Sequence, residues 1–478
     1  MHHKSLVKNA MFNFMYTGLN LLFPLITSPY VSRILGASNL GKVNFATSII
    51  NWFILFATFG VTTYGVREVA KNRENTKKLN FLFSELVLIN AILSLIVTII
   101  YFVLIFNTKQ FREELPLYLI MSLSIILNMF SIDWFYQGIE EYSYITIRSA
   151  IFKLISLICI FLFIRRPEHY VIYGLISVIS ISLSGILNFV YSKKYIQIKL
   201  RGIKPLRHIK SLSTFFFHTL VVSVYTNLDQ TLLGFLVSTE SVAYMNRSKV
   251  VINAAISVST SISNVTLPRA SYYIKKDYSK FQQLLTQVPN YILWITIPIS
   301  VGSFILSPNI MFILGGNEFL NATILLQIIS FTIILSPLSG YLQNQILIPT
   351  GNEKLGLLCA IISSFISVAL NILLIPNLGY IGAGITILIA ELSAVLLRYG
   401  IVKYKLGFNN LVFLNSSSLS YLVATLVMGI VVIFVKTLVM NMLISFFICA
   451  GTGVIIYFGT LILIKEEVTM NMLKKVKK

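Results

Sequence analysis

Six basic side chains lie within or at the edges of segments otherwise fit for a lipid core: Arg33, Lys42, Arg148, Lys153, Arg247 and Lys249. The acids Asp133, Asp229 and Glu391 share that setting, and Glu85 stands near one end of such a segment. A charge at the centre of an apolar helix costs about 2.5–3.5 kcal/mol on the insertion scale. Such groups therefore face protein or water within a bundle instead of acyl chains. Lys and Arg there can bind an anion, because charge-assisted hydrogen bonds replace the hydration that a low-dielectric layer removes. The carboxylates can balance those cations or carry a coupling ion.

The segment Tyr144–Ile164 makes the case quantitatively. Its thirteen Leu, Ile or Phe residues gain about 4–8 kcal/mol, and its Arg148 and Lys153 cost about 5–7. Thr146, Ser149, Lys153 and Ser156 follow an i, i+3, i+7, i+10 stripe, so Lys153 shares a helix face with hydroxyls near the midplane. Arg148 is nearer the end and off that stripe, where snorkelling to the interface competes with a functional role. Asp229 matches Arg247 and Lys249 in depth, which leaves open a structural ion pair or a charged cavity wall. Arg33 and Lys42 flank a short turn, where snorkelling again competes. Glu391 is a mid-span carboxylate, a candidate proton or cation site, and Glu85 is expected at the interface.

The elements that must position these groups are membrane helices. Of 478 residues, 56% are hydrophobic and 12% charged, with a mean hydropathy of +0.81, against about 25% charged in soluble domains. Apolar runs of span length predict an all-α integral membrane protein with about fourteen transmembrane helices. They fall near 11–35, 42–66, 81–106, 116–137, 144–164, 170–191, 213–237, 242–267, 284–307, 321–349, 355–375, 381–400, 416–437 and 440–463. Most of the 38 basic residues lie on the side that also holds both termini, which predicts cytoplasmic termini. The densest stretch, SKKYIQIKLRGIKPLRHIKSL at 192–212, reads as a topogenic loop touching anionic head groups.

That loop separates two six-helix sets. ILGASNLGKVNFATSIIN at 34–51 and GFLVSTESVAYMNRSKVVIN at 234–253 share an order of span end, short turn, aromatic, polar pair and apolar helix ending in Asn. This predicts a parallel repeat: an N-terminal lobe at 1–195, a basic linker at 196–212, a C-terminal lobe at 213–402, and two additional helices with a basic tail at 403–478. Pro24, Pro29, Pro298 and Pro337 are expected to kink their helices.

Several chemistries are excluded. Cys159, Cys359 and Cys449 fall in spans without CxxC or Cys/His clustering, so neither a disulfide framework nor a zinc site is expected. GASNLGKV at 36–43 matches GxxxxGK, but Val43 replaces the magnesium-binding hydroxyl and no strand precedes it. No cofactor is expected. The net charge of +21 sits in loops that flank membrane helices, which points to lipid and not to nucleic acid.

DWFYQGIEEYSYITIR at 133–148 resembles the Asp-Trp-aromatic-x-Gln-Gly-x-Glu segment of Wzx-type polysaccharide-unit flippases, which move O-antigen or capsule repeat units. These belong to the multidrug/oligosaccharidyl-lipid/polysaccharide exporter superfamily. SPYVSRILGASNLGKVNFATSI at 28–49 with FGVTTYGVREVAKNRE at 59–74 resembles the family's amino-terminal signature. LDQTLLGFLVSTESVAYMNRSKVV with LPRASYYIKKD resembles the start of its second lobe. The resemblance implies alternating access that carries an undecaprenyl-pyrophosphate-linked oligosaccharide from the inner to the outer leaflet of the bacterial cytoplasmic membrane. It further implies a cationic cavity, coupling to H+ or Na+, and polysaccharide polymerase machinery as a partner. By position, Arg33 matches the family's first-helix arginine, Arg247 and Lys249 the second-lobe cavity stretch, and Asp133 the signature acid. Val242 departs from the family, which usually has Gly there, and the acidic Gly138–Ser143 loop is unusual for a cytoplasmic one. A multidrug or cation antiporter of the same fold is the alternative; it predicts interior acids outnumbering bases. A polysaccharide polymerase would present a large outside loop, and every predicted outside loop is short.

Overall fold

The computed structural model describes residues 6–199, 201–408, 413 and 415–476, and no strand occurs among them. The chain forms two compact units, 1–231 and 232–478. The division falls beyond the basic stretch at 196–212, inside a helix.

The first unit contains α1 (Leu6–Thr58), α2 (Val61–Asn72), α3 (Thr76–Asn107), α4 (Lys109–Arg112), α5 (Leu115–Ile126), α6 (Asp133–Gly138), α7 (Tyr142–Phe163), α8 (Tyr170–Ser192) and most of α9 (Ile209–Leu236). The second contains α10 (Thr239–Lys276), α11 (Tyr278–Ile305), α12 (Ser307–Gly315), α13 (Thr323–Ser330), α14 (Thr332–Tyr341), α15 (Glu353–Gly400), α16 (Ser416–Leu438), α17 (Met442–Leu463) and α18 (Glu467–Val476).

Eleven helices among the described residues are long and apolar enough to cross a membrane, against fourteen expected. Two physical reasons account for the difference. At 48 and 53 residues, Met11–Thr58 and Glu353–Lys405 are far longer than the roughly 20 residues a span needs. Each is broken at a glycine that L side chains disfavour: Gly36 at φ 72°, ψ 174° and Gly379 at φ 57°, ψ −135°. The third case is α9, whose His218, Thr219, Ser223, Thr226, Asn227, Asp229 and Gln230 dilute a span-length helix.

Burial follows the logic of lipid as solvent. On α3, Ile92, Leu95, Ile96, Ile99, Ile100 and Val103 are exposed, whereas Ser94, Thr98 and Tyr101 face inward. Small and polar residues thus fill the interior and aliphatic ones meet the hydrocarbon. In the first unit α1 packs against α3, α5, α7 and α8, and α2 packs against α6. The core beside α2 is aromatic: Tyr64, Phe83, Trp134, Phe135 and Tyr136 are all buried. In the second unit α11 packs against α10, α14 and α16.

The signature segment at 133–148 owes much of its form to this packing. A Cβ on Gly65 of α2 would come within 2.5 Å of the Trp134 indole, and one on Gly138 within 2.6 Å of Val69. Two glycines therefore let α2 and α6 meet at backbone distance. The acidic loop at 138–143 is satisfied locally. Glu140 pairs with Arg73 at 2.6 Å, and Glu141 accepts from the Tyr195 hydroxyl at 2.9 Å.

The basic stretch at 192–212 is not merely a loop resting on head groups. Asn80 Oδ1, Ser84 Oγ and Glu85 Oε1 accept the backbone N–H groups of Gln197, Lys199 and Lys204 at 3.0, 2.8 and 2.7 Å. Glu85 Oε2 also accepts from Arg207 Nη2 at 2.6 Å and lies 2.8 Å from His208 Nε2. Glu85 is therefore a buried anchor, 1% exposed. His208 Nδ1 stands 2.7 Å from the Tyr64 hydroxyl, which ties α2 into the same cluster.

Candidate functional site

A cavity of about 380 Å³ opens within the first unit, between α1, α5, α6, α7 and α8. Three of the nine residues singled out from the sequence meet there: Asp133, Arg148 and Lys153. The rest of the wall is rich in neutral polar groups, with Asn20, Asn51 and Asn128 from α1 and the turn after α5. Hydroxyls come from Ser149 on α7 and from Ser177, Ser180, Ser182 and Ser184 on α8. Ser177, Ser180 and Ser184 recur at i, i+3 and i+7, which puts them on one face of α8.

The two cations in this wall are not equivalent. Arg148 is 7% exposed, so it does not snorkel. Its Nη2 donates to Asp133 Oδ1 at 3.0 Å, and its guanidinium lies 5.8 Å from the centre of the Tyr144 ring. Asn188 Nδ2 donates to the same Asp133 oxygen. Arg148 is thus held and neutralised where it stands, although its Nε and Nη1 are buried without a hydrogen-bond partner.

Lys153 is one and a half turns further along the same helix. Its Nζ donates to Asn20 Oδ1 at 2.5 Å and lies 5.6 Å from the centre of the Phe23 ring. Among the described residues no carboxylate comes within ion-pair distance of it. A neutral amide and an aromatic face orient an ammonium without cancelling its charge. The hydroxyl stripe on α7 explains the placement: Thr146 bonds to the Phe12 and Tyr142 carbonyls at 2.9 and 2.8 Å, and Ser149 lines the cavity beside Lys153.

The other expected site residues lie outside this cavity. Arg33 is exposed on α1, one turn before the Gly36 break. Lys42 meets Glu114 at 2.6 Å and lies 5.1 Å from the centre of the Tyr170 ring, while the Tyr170 hydroxyl donates to Glu114 at 2.5 Å. That triad fastens α1 to α8. Asp229 on α9 and Arg247 on α10 are buried, and Lys249 and Glu391 are half-buried. The GxxxxGK stretch lies inside α1, across its break.

Sequence reasoning missed the amides and the α8 serines. Their signal was present: SVISISLSG carries four serines in nine residues of an apolar span, a density that lipid-facing helices do not sustain. Asn20 gave less warning, because its role depends on Lys153 from a helix more than a hundred residues away.

Residues 6–274 match the family described as polysaccharide biosynthesis protein, more than half of the chain. The chain belongs to that family. A putative O-antigen transporter of Shigella dysenteriae is 26% identical over 399 residues, 83% of this chain and 100% of that protein. Another of Escherichia coli (strain K12) is 24% identical over 392 residues, 81% and 94% of the respective chains. Among solved structures, the lipid II flippase MurJ in its inward closed conformation aligns with a TM-score of 0.78 at 20% identity. That alignment covers 96% of this chain and 100% of that one. This likeness shows that the two chains share a fold. The helical membrane fold and the family resemblance read from the 133–148 segment are both borne out.

Proposed function

We propose that this protein is a flippase that moves an undecaprenyl-pyrophosphate-linked oligosaccharide repeat unit between the leaflets of the bacterial cytoplasmic membrane. Movement runs from the inner to the outer leaflet by alternating access, with both termini cytoplasmic and an H+ or Na+ gradient as the energy source. The observation that carries the reading is Lys153, a cation in a polar cavity that bonds to an amide and, among the described residues, has no carboxylate within ion-pair distance. Such a group favours an anion by charge-assisted hydrogen bonding, and a diphosphate offers several acceptor oxygens at once. The curated relatives named as O-antigen transporters support the same substrate class.

Arg148 positions the cavity wall through Asp133. Arg247 and Lys249 on α10 are assigned to the same anion in another stage of the cycle, and Arg33 and Lys42 to its passage near the Gly36 break. Asp229 and Glu391 are assigned to charge balance or ion coupling. The test is transbilayer movement of fluorescent undecaprenyl diphosphate in proteoliposomes of phosphatidylethanolamine and phosphatidylglycerol. Wild-type protein accelerates movement and Lys153→Ala does not. Equal rates with wild type, Lys153→Ala and empty vesicles would overturn the reading.

A further inference from the structure

A second cavity, of about 330 Å³, adjoins the first within the same unit. Asn51 and Ile54 line both, so one wall of α1 separates or joins them. The two differ in chemistry. The first holds Arg148, Lys153 and Asp133; none of the residues around the second is ionisable. Its polar groups are the hydroxyls of Thr58, Thr62, Thr63, Thr219 and Ser223 and the amides of Asn51 and Asn227. One large aromatic completes it, Trp52.

Trp52 is held in place by its own polar atom. The indole Nε1 donates to Thr231 Oγ1 at 2.9 Å, and Thr231 reaches Ser48 Oγ at 3.4 Å. With the N–H committed to the helix contact, what the ring has left to offer a ligand is its apolar surface. Asn51 is exposed and Asn227 half-buried.

We infer that this neutral cavity binds the sugar residues nearest the diphosphate, while the cationic cavity beside it holds the phosphates. Sugar hydroxyls both donate and accept, as do the Thr, Ser and Asn side chains here, and an anion would find no counter-charge. A rigid aromatic face suits the apolar C–H side of a pyranose ring. The volume sits at the low end of the roughly 300–1,000 Å³ of small-molecule sites, enough for a short saccharide and not for a whole repeat unit. The inference rests on the flippase reading and adds to it a glycan-selective subsite built from α1, α2 and α9.

The experiment compares affinities of the purified full-length protein in nanodiscs for undecaprenyl diphosphate and for the same lipid bearing one N-acetylglucosamine, galactose or glucose residue. At least one sugar-bearing lipid is expected to bind about tenfold more tightly than the bare one. Asn227→Leu should lower that affinity about tenfold, since it leaves sugar hydroxyls unpaired, with bare-lipid binding unchanged. Thr219→Val, which keeps the side-chain shape, should lose about threefold and guards against a folding defect in the first variant. A cavity that holds only water gives the bare and sugar-bearing lipids equal affinity, and that result overturns the inference alone. Failure of the wild type to bind even the bare diphosphate overturns the flippase reading together with it.

Discussion

Arg148 and Lys153 project from one helix into one cavity, yet among the described residues only Arg148 of the two holds a carboxylate, Asp133 at 3.0 Å. Lys153 meets the neutral Asn20 instead. Removing the uncommitted cation should cost function without costing fold. Lys153→Ala is expected to weaken diphosphate-lipid binding about 10- to 100-fold, the equivalent of one charged hydrogen bond of about 1.5–3 kcal/mol. Lys153→Arg should restore part of it. Membrane abundance of both variants should equal wild type, read by quantitative immunoblot beside the binding isotherm.

The committed cation predicts the opposite pattern. Asp133→Asn removes the charge that balances a guanidinium 7% exposed, while Asn188 keeps an acceptor on the amide oxygen. A loss of about 1–3 kcal/mol follows, at the low end because the Asp133 side chain is 32% exposed. Arg148→Met in the Asp133→Asn background should recover much of that loss, because the buried charge leaves with its partner. Thermal stability in detergent by fluorescence-detected size exclusion checks the cycle; additive losses would show that the two residues do not act as a pair.

The contrast between the two cations also marks how far the sequence could be read. Apolar run lengths and the 133–148 segment were enough for the membrane fold and its family. The Lys153 stripe of hydroxyls was legible because helix periodicity is local. What periodicity cannot carry is a partner from a distant segment: neither Asp133 as the mate of Arg148 nor Asn20 as the mate of Lys153 follows from spacing. The partners of Glu85 were out of reach for the same reason. Its depth in α3 suggested an interface, and only the return of the chain at 204–208 makes it a buried acceptor. The helix breaks at Gly36 and Gly379 show a further limit, since hydropathy finds the spans on either side and says nothing of the tight break between them.

The Glu85 cluster yields a prediction about the basic stretch. Glu85→Gln keeps one acceptor but loses the charge that Arg207 and the Lys204 N–H share. A cost of about 2–4 kcal/mol is expected for a buried acceptor serving several donors, reduced from the fully buried case because Arg207 is 54% exposed. The local consequence is release of residues 197–208 from α3. Trypsin should then cut at Lys199, Arg201 or Arg207 several-fold faster in inside-out vesicles, while cleavage at Lys71 on α2 and at Arg73 just after it stays as in wild type. Unchanged cleavage in the stretch would mean the backbone bonds from Asn80 and Ser84 suffice to hold it.

Two glycines of α1 should respond to alanine with opposite sign. Gly36 sits at φ 72°, ψ 174°, a region almost closed to residues with a Cβ, where forcing one in costs about 1–3 kcal/mol. Gly18 lies within the helix, and a Cβ there meets nothing within 4 Å. Alanine at that position removes backbone freedom from the unfolded chain and gains roughly 0.5–1 kcal/mol. Gly36→Ala is therefore expected to lower the melting temperature in detergent and Gly18→Ala to raise it modestly. Because Gly36 also joins the two halves of α1 that flank Arg33 and Lys42, its variant should slow transport beyond what lost abundance explains. Equal transport per folded molecule in wild type and Gly36→Ala would confine that break to a structural role.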